Sequence, residues 1–116
     1  MLLTPFVLYG ASTPVHMLAG VAQIVAEVLA GVAFTQIIRP GSRVVMGVAP
    51  MGVYMISGSP AFGSPEVALT MYVFGQMARF YGFTWRTNGA RTGSRCDDWY
   101  AGYDAKLKVY PAILGG

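Results

Sequence analysis

The chain has 116 residues, of which 54% are hydrophobic and 11% are charged. Ordinary soluble domains carry about 25% charged residues, so this composition excludes a free-standing monomer with a fully polar surface. The formal net charge of +3 comes from few residues. Those residues form no dense basic stripe, which argues against nucleic-acid binding. Cys96 is the single cysteine, which excludes an internal disulfide and a cysteine-rich zinc site.

The low content of charged residues has two possible causes. Either the chain lies in a lipid bilayer, or other protein covers much of its surface. The stretch over residues 17–38 is long enough to span a bilayer. However, Glu27 lies in its middle, small residues outnumber Leu and Phe, and no basic cluster precedes it. We therefore expect covering protein and no membrane span. A single free cysteine is compatible with a reducing compartment, and we expect a cytoplasmic location.

The first predicted elements are a buried strand and a long helix. Residues 2–9 form a short apolar run, which predicts the strand. Thr13 and Pro14 suit the N-cap and the first position of a helix, and the run Arg39-Pro40-Gly41 predicts where it ends. Helical spacing predicts one apolar face, made of Val15, Leu18, Ala22, Val25, Leu29 and Val32.

A second strand and a second helix are predicted in the middle of the chain. Residues 43–48 are rich in valine and predict the strand, and the Gly-, Pro- and Met-rich segment over residues 49–63 predicts a long functional loop. Ser64 and Pro65 suit the cap and the first residue of the helix. Gly82 suits its left-handed end.

The last predicted unit is a strand over residues 83–87, a Gly-rich loop over residues 88–95 and a helix. Asp97 or Asp98 is predicted to cap this helix. The helix is predicted to run to about Tyr110, because the proline that follows removes a backbone donor.

The order of these elements, β-α-β-α-β-α over residues 1–116, is typical of one α/β domain with parallel strands. The two Gly-rich junctions, at residues 60–66 and 88–95, follow apolar runs and open helices. This is the order found at the active-site end of β/α proteins. Because eight strands close a barrel, three such units form only a part of one.

Five short runs, in their order and spacing, resemble the trimethylamine methyltransferase (MttB) family over nearly the whole chain. They are Ala26-Glu27-Val28-Leu29-Ala30-Gly31, Arg39-Pro40-Gly41, Gly63-Ser64-Pro65-Glu66, Ala78-Arg79-Phe80-Tyr81-Gly82, and Asp98 followed by Ala101-Gly102-Tyr103. Family members are TIM barrels much longer than this chain. The resemblance therefore implies three consecutive β/α units of an incomplete TIM (β/α)8 barrel. The pyrrolysine position of the founding members falls on Arg91, which implies the branch without pyrrolysine.

The resemblance also implies an activity and partners. Family members transfer a methyl group from a methylated or quaternary amine, of the trimethylamine or betaine type, to the cobalt of a corrinoid that a partner protein carries. The implied partners are this corrinoid protein, the small methylated amine, and a missing barrel segment or a second copy of the chain. The isolated chain of 116 residues is expected to be inactive.

Four residues are candidates for substrate binding, namely Arg91, Glu66, Tyr103 and Trp85. Arg91 can hold a substrate carboxylate through two parallel hydrogen bonds, or it is a solvated loop residue or the partner of an aspartate. Aromatic faces hold quaternary ammonium groups, although core packing also explains aromatic residues. Glu66 is expected either to face the substrate cavity or only to complement the positive end of the helix dipole. Demethylation of a quaternary ammonium group releases a neutral amine, so no catalytic acid, base or nucleophile is assigned.

Two other hypotheses stay open. The chain is a small apolar membrane or interaction protein without catalysis, or it is an inactive remnant of an enzyme. It also departs from the family pattern, since Tyr100 stands where Gln is usual and Asp104 where Glu is common. His16 has no second histidine beside it and is expected to be structural. Glu27 is expected to meet an arginine or a backbone group, because an unpaired buried charge is costly.

Overall fold

A sheet of parallel strands lies at the centre of the computed structural model, which describes residues 1–115. The elements in chain order are β1 (Leu2–Leu3), β2 (Phe6–Tyr9), α1 (Met17–Ile38), β3 (Val45–Val53), β4 (Pro60–Ala61), α2 (Pro65–Phe80), β5 (Trp85–Thr87) and α3 (Trp99–Leu114). β1 and β2 pair with β3 in the same parallel register on both sides of a gap, so they form one interrupted strand. The gap falls at Pro5, which has no N–H to give to the ladder.

β3 is the central strand of the sheet. Its residue Met46 pairs with Leu3 of β1 on one edge and with Trp85 of β5 on the other, both in parallel. β4 pairs antiparallel with the end of β3 and closes a hairpin. The three parallel strands are therefore neighbours in chain order. This confirms the α/β class with a parallel sheet and three helices, and the arrangement is compatible with consecutive units of a TIM barrel.

All three helices lie on one face of the sheet. On β2, Tyr9 lies against Gly20 of α1 and bonds Thr70 of α2. On β5, Trp85 lies against Gly75 of α2 and against the end of α3. Phe6 points to the opposite face of β2, where 60% of its surface is exposed. The helices thus bury one face. The opposite face is exposed at Phe6 of β2, whereas Ala49 and Met51 of the central strand are buried there.

The core lies between this face of the sheet and the first two helices. It contains Val7, Val21, Ile24, Val25, Val28, Met46, Val48, Phe74 and Ala78. The ring of Trp85 packs edge-on against Phe74 with centroids 6.2 Å apart, a geometry that aromatic pairs prefer. α3 packs against α2 and completes the layer.

The start and the buried face of α1 differ from the prediction. The helix begins at Met17, because the side chain of Thr13 donates to the carbonyl oxygen of Leu8 and residues 10–13 close a turn after β2. Leu18 and Ala22 of the predicted apolar face are exposed. The buried residues are Gly20, Val21, Ile24, Val25, Val28 and Thr35. Since α1 is apolar on nearly all sides, its sequence did not determine which side packs on the sheet.

Two further boundaries were predicted wrongly. β3 continues to Val53, so the first part of the predicted long loop is strand. α3 passes through Pro111 and ends at Leu114. A proline inside a helix removes one backbone hydrogen bond. Here the turn after it is held by close packing of the Gly115 backbone against Trp85 and Gly75, and by the bond from the Gly115 N–H to the Pro111 carbonyl oxygen.

α1 is long and apolar enough to cross a bilayer by length and composition, with a mean hydropathy of 1.9. Core helices of soluble proteins meet the same criterion. In this fold α1 connects β2 to the neighbouring parallel strand β3 and packs its buried residues on the sheet. This is the position of a crossover helix in a βαβ unit.

Candidate active site at the carboxyl ends of the strands

The segments that follow the three parallel strands share one edge of the sheet, because the strands run in the same direction. After β2 comes the turn at residues 10–13, after β3 the hairpin tip at residues 54–59, and after β5 the loop at residues 88–98. Ligands of α/β proteins bind at the carboxyl ends of parallel strands. This edge is therefore the candidate active site.

An open groove of about 350 Å³ lies at the ends of β2 and β3. The residues that line it include Tyr9, Tyr54 and Met55, and Glu66 in the first turn of α2. The phenol oxygen of Tyr9 lies 2.9 Å from the Thr70 hydroxyl, and this bond fixes the ring beneath the groove. Two aromatic rings and a carboxylate give the groove the chemistry that favours an organic cation.

Burial raises the pKa of Tyr9, and its hydrogen bond with Thr70 lowers that pKa by a smaller amount. The folded protein therefore binds the phenol proton more tightly than the unfolded chain does. The resulting stability is fully present below the ordinary pKa of 10.0 and is lost as the pH rises through the higher pKa of the folded state.

We expect Tyr9→Phe to flatten the decline of unfolding free energy above about pH 10, because it removes this titration. The same variant is expected to lose about 1 kcal/mol at neutral pH with the Thr70 hydrogen bond. Urea denaturation followed by circular dichroism at several pH values measures both effects. Tyr54→Phe is the control, since Tyr54 is exposed. Equal pH profiles for Tyr9→Phe and the unsubstituted chain would contradict the assignment.

The loop after β5 is held by two buried polar side chains of α3. Asp104 accepts hydrogen bonds at Oδ2 from the Gly93 N–H, at 3.1 Å, and from the Thr92 hydroxyl, at 3.2 Å. Lys108 donates from Nζ to the carbonyl oxygen of Arg91. A third contact comes from the other Gly-rich junction, since the Asp104 carboxylate lies directly against Gly63. The two junctions are therefore brought together by one carboxylate.

Lys108 is almost fully buried and borders a small cavity of about 10 Å³, near the size of one water molecule. Burial lowers the pKa of Lys108, the Asp104 carboxylate raises it and Arg91 lowers it further, with a lower value as the net result. The ammonium lies 6.0 Å from the centroid of the Phe62 ring. Asn88 and Arg91 also border this cavity.

The structure does not bring the four predicted substrate-binding residues into one cluster. Glu66 lines the groove, and Arg91 borders the cavity beside Lys108. Tyr103 is exposed on α3, next to the buried Asp104. Trp85 packs between α2 and the end of α3, a location that favours a core role. The substrate-binding roles of all four stay predictions.

Sequence reasoning missed Tyr9 and Lys108 and did not assign a role to Asp104. Asp104 and Lys108 are one helical turn apart, which places them on the same side of α3. An acidic and a basic residue at this spacing also occur on solvated helix faces, so the spacing alone did not indicate burial. The tyrosine at the end of an apolar strand was counted as strand core.

Other single residues have ordinary local roles. His16 is the N-cap residue of α1, and Glu27 is exposed and accepts a hydrogen bond from Gln23 at 2.9 Å. Glu27 therefore meets a glutamine of its own helix. Cys96 is exposed with a free thiol. Among residues 1–115, no group of three His, Cys, Asp or Glu side chains is arranged to hold a metal ion.

The protein is therefore an α/β protein whose candidate site lies at the carboxyl ends of its parallel strands. Residues 1–116 match the protein-family model described as trimethylamine methyltransferase (MTTB). The chain belongs to this family, as its sequence runs indicated.

Named relatives include methyltransferases of betaines and of trimethylamine. The chain is 36% identical over 115 residues to the glycine betaine methyltransferase of Desulfitobacterium hafniense, covering 99% of this chain and 24% of that protein. It is 30% identical over 107 residues to the trimethylamine methyltransferase MttB of Methanosarcina thermophila, covering 91% and 22%. It is 31% identical over 104 residues to the proline betaine:corrinoid methyltransferase of Eubacterium limosum, covering 90% and 21%. The chain thus spans about a quarter of the length of these relatives.

Proposed function

We propose that the chain forms three consecutive β/α units of a TIM barrel in a corrinoid-dependent methyltransferase. The enzyme transfers a methyl group from a methylated or quaternary amine to the cobalt of a corrinoid that a partner protein carries. Support for the barrel comes from parallel strands that are neighbours in chain order, with all helices on one face. The rest of the barrel, or a second copy of the chain, pairs with the open strand edges. We expect the chain of 116 residues to be inactive by itself and the enzyme to be cytoplasmic.

The groove at Tyr9, Tyr54 and Glu66 is the observation that carries this proposal. A methylated ammonium group has no N–H or only one to donate, so a site recognises it by charge and by contact with its methyl groups. The negative faces of aromatic rings and a nearby carboxylate supply that recognition. Since both tyrosines and Glu66 border one groove at the carboxyl edge, we assign the ammonium group of the substrate to it.

Arg91 is the proposed partner of a substrate carboxylate, if the substrate is a betaine. Its planar guanidinium offers two parallel hydrogen bonds to a carboxylate. Arg91 follows the end of β5 and shares the carboxyl edge with the groove after β2 and β3. A trimethylamine substrate has no carboxylate and makes no use of this residue.

Methyl transfer from a quaternary amine releases a neutral amine, so we assign no proton transfer to the chain. Its residues bind the cation, orient one methyl group and exclude water. When bound, the corrinoid supplies the reduced cobalt that accepts the methyl group. The hairpin tip beside the groove exposes Met55 and Ile56, so this edge is accessible to a corrinoid that another protein would bring.

The test is a chimera in which this chain replaces the matching segment of the Desulfitobacterium hafniense glycine betaine methyltransferase. The chimera is mixed with a corrinoid protein in the reduced state and with glycine betaine, carnitine or trimethylamine. We expect methyl-cobalt to form, and its absorption spectrum measures this formation. Glu66→Gln is expected to raise KM for the active amines by about tenfold or less, because the carboxylate is exposed. Arg91→Met is expected to raise KM about tenfold or more for the carboxylate-bearing amines alone.

Glu27→Gln is the matched control, because Glu27 is an exposed glutamate of α1 away from the groove. It is expected to leave KM unchanged. A soluble chimera with native-like circular dichroism that methylates cobalt from none of the three amines would overturn the proposed function.

A further inference from the structure

We propose that Asp104 and Lys108 of α3 are positioning residues, which clamp the backbone of residues 91–93 and so set the position of the Arg91 side chain. The clamp has two points of attachment. Lys108 holds the loop at the Arg91 carbonyl oxygen, and Asp104 holds it two residues further on, at the Gly93 N–H. Because both anchors belong to one turn of a helix, their separation is fixed.

The burial of both anchors distinguishes this clamp from a surface ion pair. Asp104 is 1% exposed and Lys108 is 3% exposed. Buried charged groups require partners. Oδ2 of Asp104 and Nζ of Lys108 each find a partner in the same loop, whereas Oδ1 of Asp104 is buried without a hydrogen bond. The attraction between the two opposite charges, one helical turn apart, reduces the cost of burying them.

The clamp also connects the two Gly-rich junctions. A Cβ atom at Gly63 would lie 2.5 Å from both oxygens of the Asp104 carboxylate, so only glycine leaves room for the carboxylate there. Thr92 donates to the same carboxylate oxygen as Gly93 and accepts from the Ser94 N–H at 2.9 Å. The carboxylate therefore lies between the loop before α2 and the loop before α3, and it orders the second.

The clamp restricts the backbone that carries the Arg91 side chain. Arg91 borders the same small cavity as Asn88 and Lys108. Because its carbonyl oxygen and the N–H two residues on are both anchored to α3, the backbone from which this side chain extends cannot shift freely. The link from the clamp to substrate affinity rests on the proposed function, whereas the clamp itself does not.

Hydrogen exchange at the Gly93 amide, measured by NMR on the chain, tests the clamp. Asp104→Ala removes the oxygen that accepts from Gly93 and Thr92, and it is expected to speed exchange at Gly93 by at least about tenfold relative to the amide of the core residue Phe74. Asp104→Asn keeps an acceptor oxygen and is expected to restore most of the protection. Asp97→Ala is the matched control, since Asp97 is an exposed aspartate before α3. If Gly93 and Phe74 exchange faster in equal proportion, or if Asn rescues nothing, the clamp is refuted.

Two trimethylammonium compounds test the consequence for Arg91 in the chimera, which supplies the rest of the enzyme. Glycine betaine and choline both carry a trimethylammonium group, but only glycine betaine has a carboxylate. Lys108→Met in the chimera is expected to weaken binding of glycine betaine by about tenfold and to leave choline within about twofold, measured by NMR titration. Lys106→Met is the control, because Lys106 is exposed on the same helix. Equal weakening for both compounds would refute the positioning of Arg91. If the unsubstituted chimera binds neither compound, the proposed function fails at this site, whereas hydrogen exchange at Gly93 tests the clamp independently.

Discussion

Replacing Phe74 by Ala is expected to lower the free energy of unfolding by about 3–5 kcal/mol, which is usual for a buried phenylalanine. Phe74 has no exposed surface and lies in the core between α2 and the sheet. The substitution leaves a cavity beside Met46 and removes the edge-on contact with Trp85. Urea denaturation followed by circular dichroism or by tryptophan fluorescence measures the loss.

The size of this effect decides whether the α2–sheet layer is the core of the protein. Phe80→Ala is the control, because Phe80 belongs to the same helix and is 79% exposed. Its effect is expected to stay within about 0.5 kcal/mol, as for most surface substitutions. Single domains unfold with about 5–15 kcal/mol, so Phe74→Ala removes a large part of the total. Similar losses for the two variants would contradict the packing described here.

Replacing Gly63 by Ala is expected to destabilise the fold by about 1–3 kcal/mol, the usual range for inserting a methyl group into a packed site. The new Cβ would lie 2.5 Å from the oxygens of the Asp104 carboxylate. Asp104 would have to move, and its bonds to Thr92 and Gly93 would weaken. Unfolding in urea measures the first effect, and faster hydrogen exchange at Gly93 reports the second.

Gly102→Ala is the matched control for this glycine. Gly102 lies in α3, its Cα is exposed, and an added Cβ would meet nothing within 4 Å. Alanine is a better helix former than glycine by about 0.5–1 kcal/mol, so this variant is expected to gain stability. The two substitutions are chemically identical and differ only in their surroundings. Equal effects would show that Asp104 does not pack on Gly63.

The proposed barrel would account for the unusual surface of the chain. The chain spans about a quarter of its relatives' length, and Phe6 of β2 is exposed on the face of the sheet opposite the helices. In a closed barrel, strand edges and inner faces pair and pack with the other strands. Under this proposal, the low content of charged residues reflects the surface that the barrel buries.

Several local features could be predicted because they depend on neighbours in sequence. Asp98 caps α3 by accepting from the Ala101 N–H at 2.8 Å, and Gly82 adopts a positive φ after α2. Pro65 occupies the first turn of α2 as predicted, although the Ser64 side chain makes no capping hydrogen bond. These signals act over three or four residues, so the chain specifies them without any tertiary contact.

The order of elements, the parallel sheet and the family were determined by the sequence itself, because apolar periodicity, caps and the five family runs are all encoded along the chain. Only the tertiary structure decided which side of α1 is buried, that α3 continues through Pro111, and that Asp104 and Lys108 lie inside. The physical reason is that each of these depends on contacts between residues distant in sequence. A helix that is apolar on all sides, or a charged pair one turn apart, fits several environments equally well until the neighbouring elements pack against it.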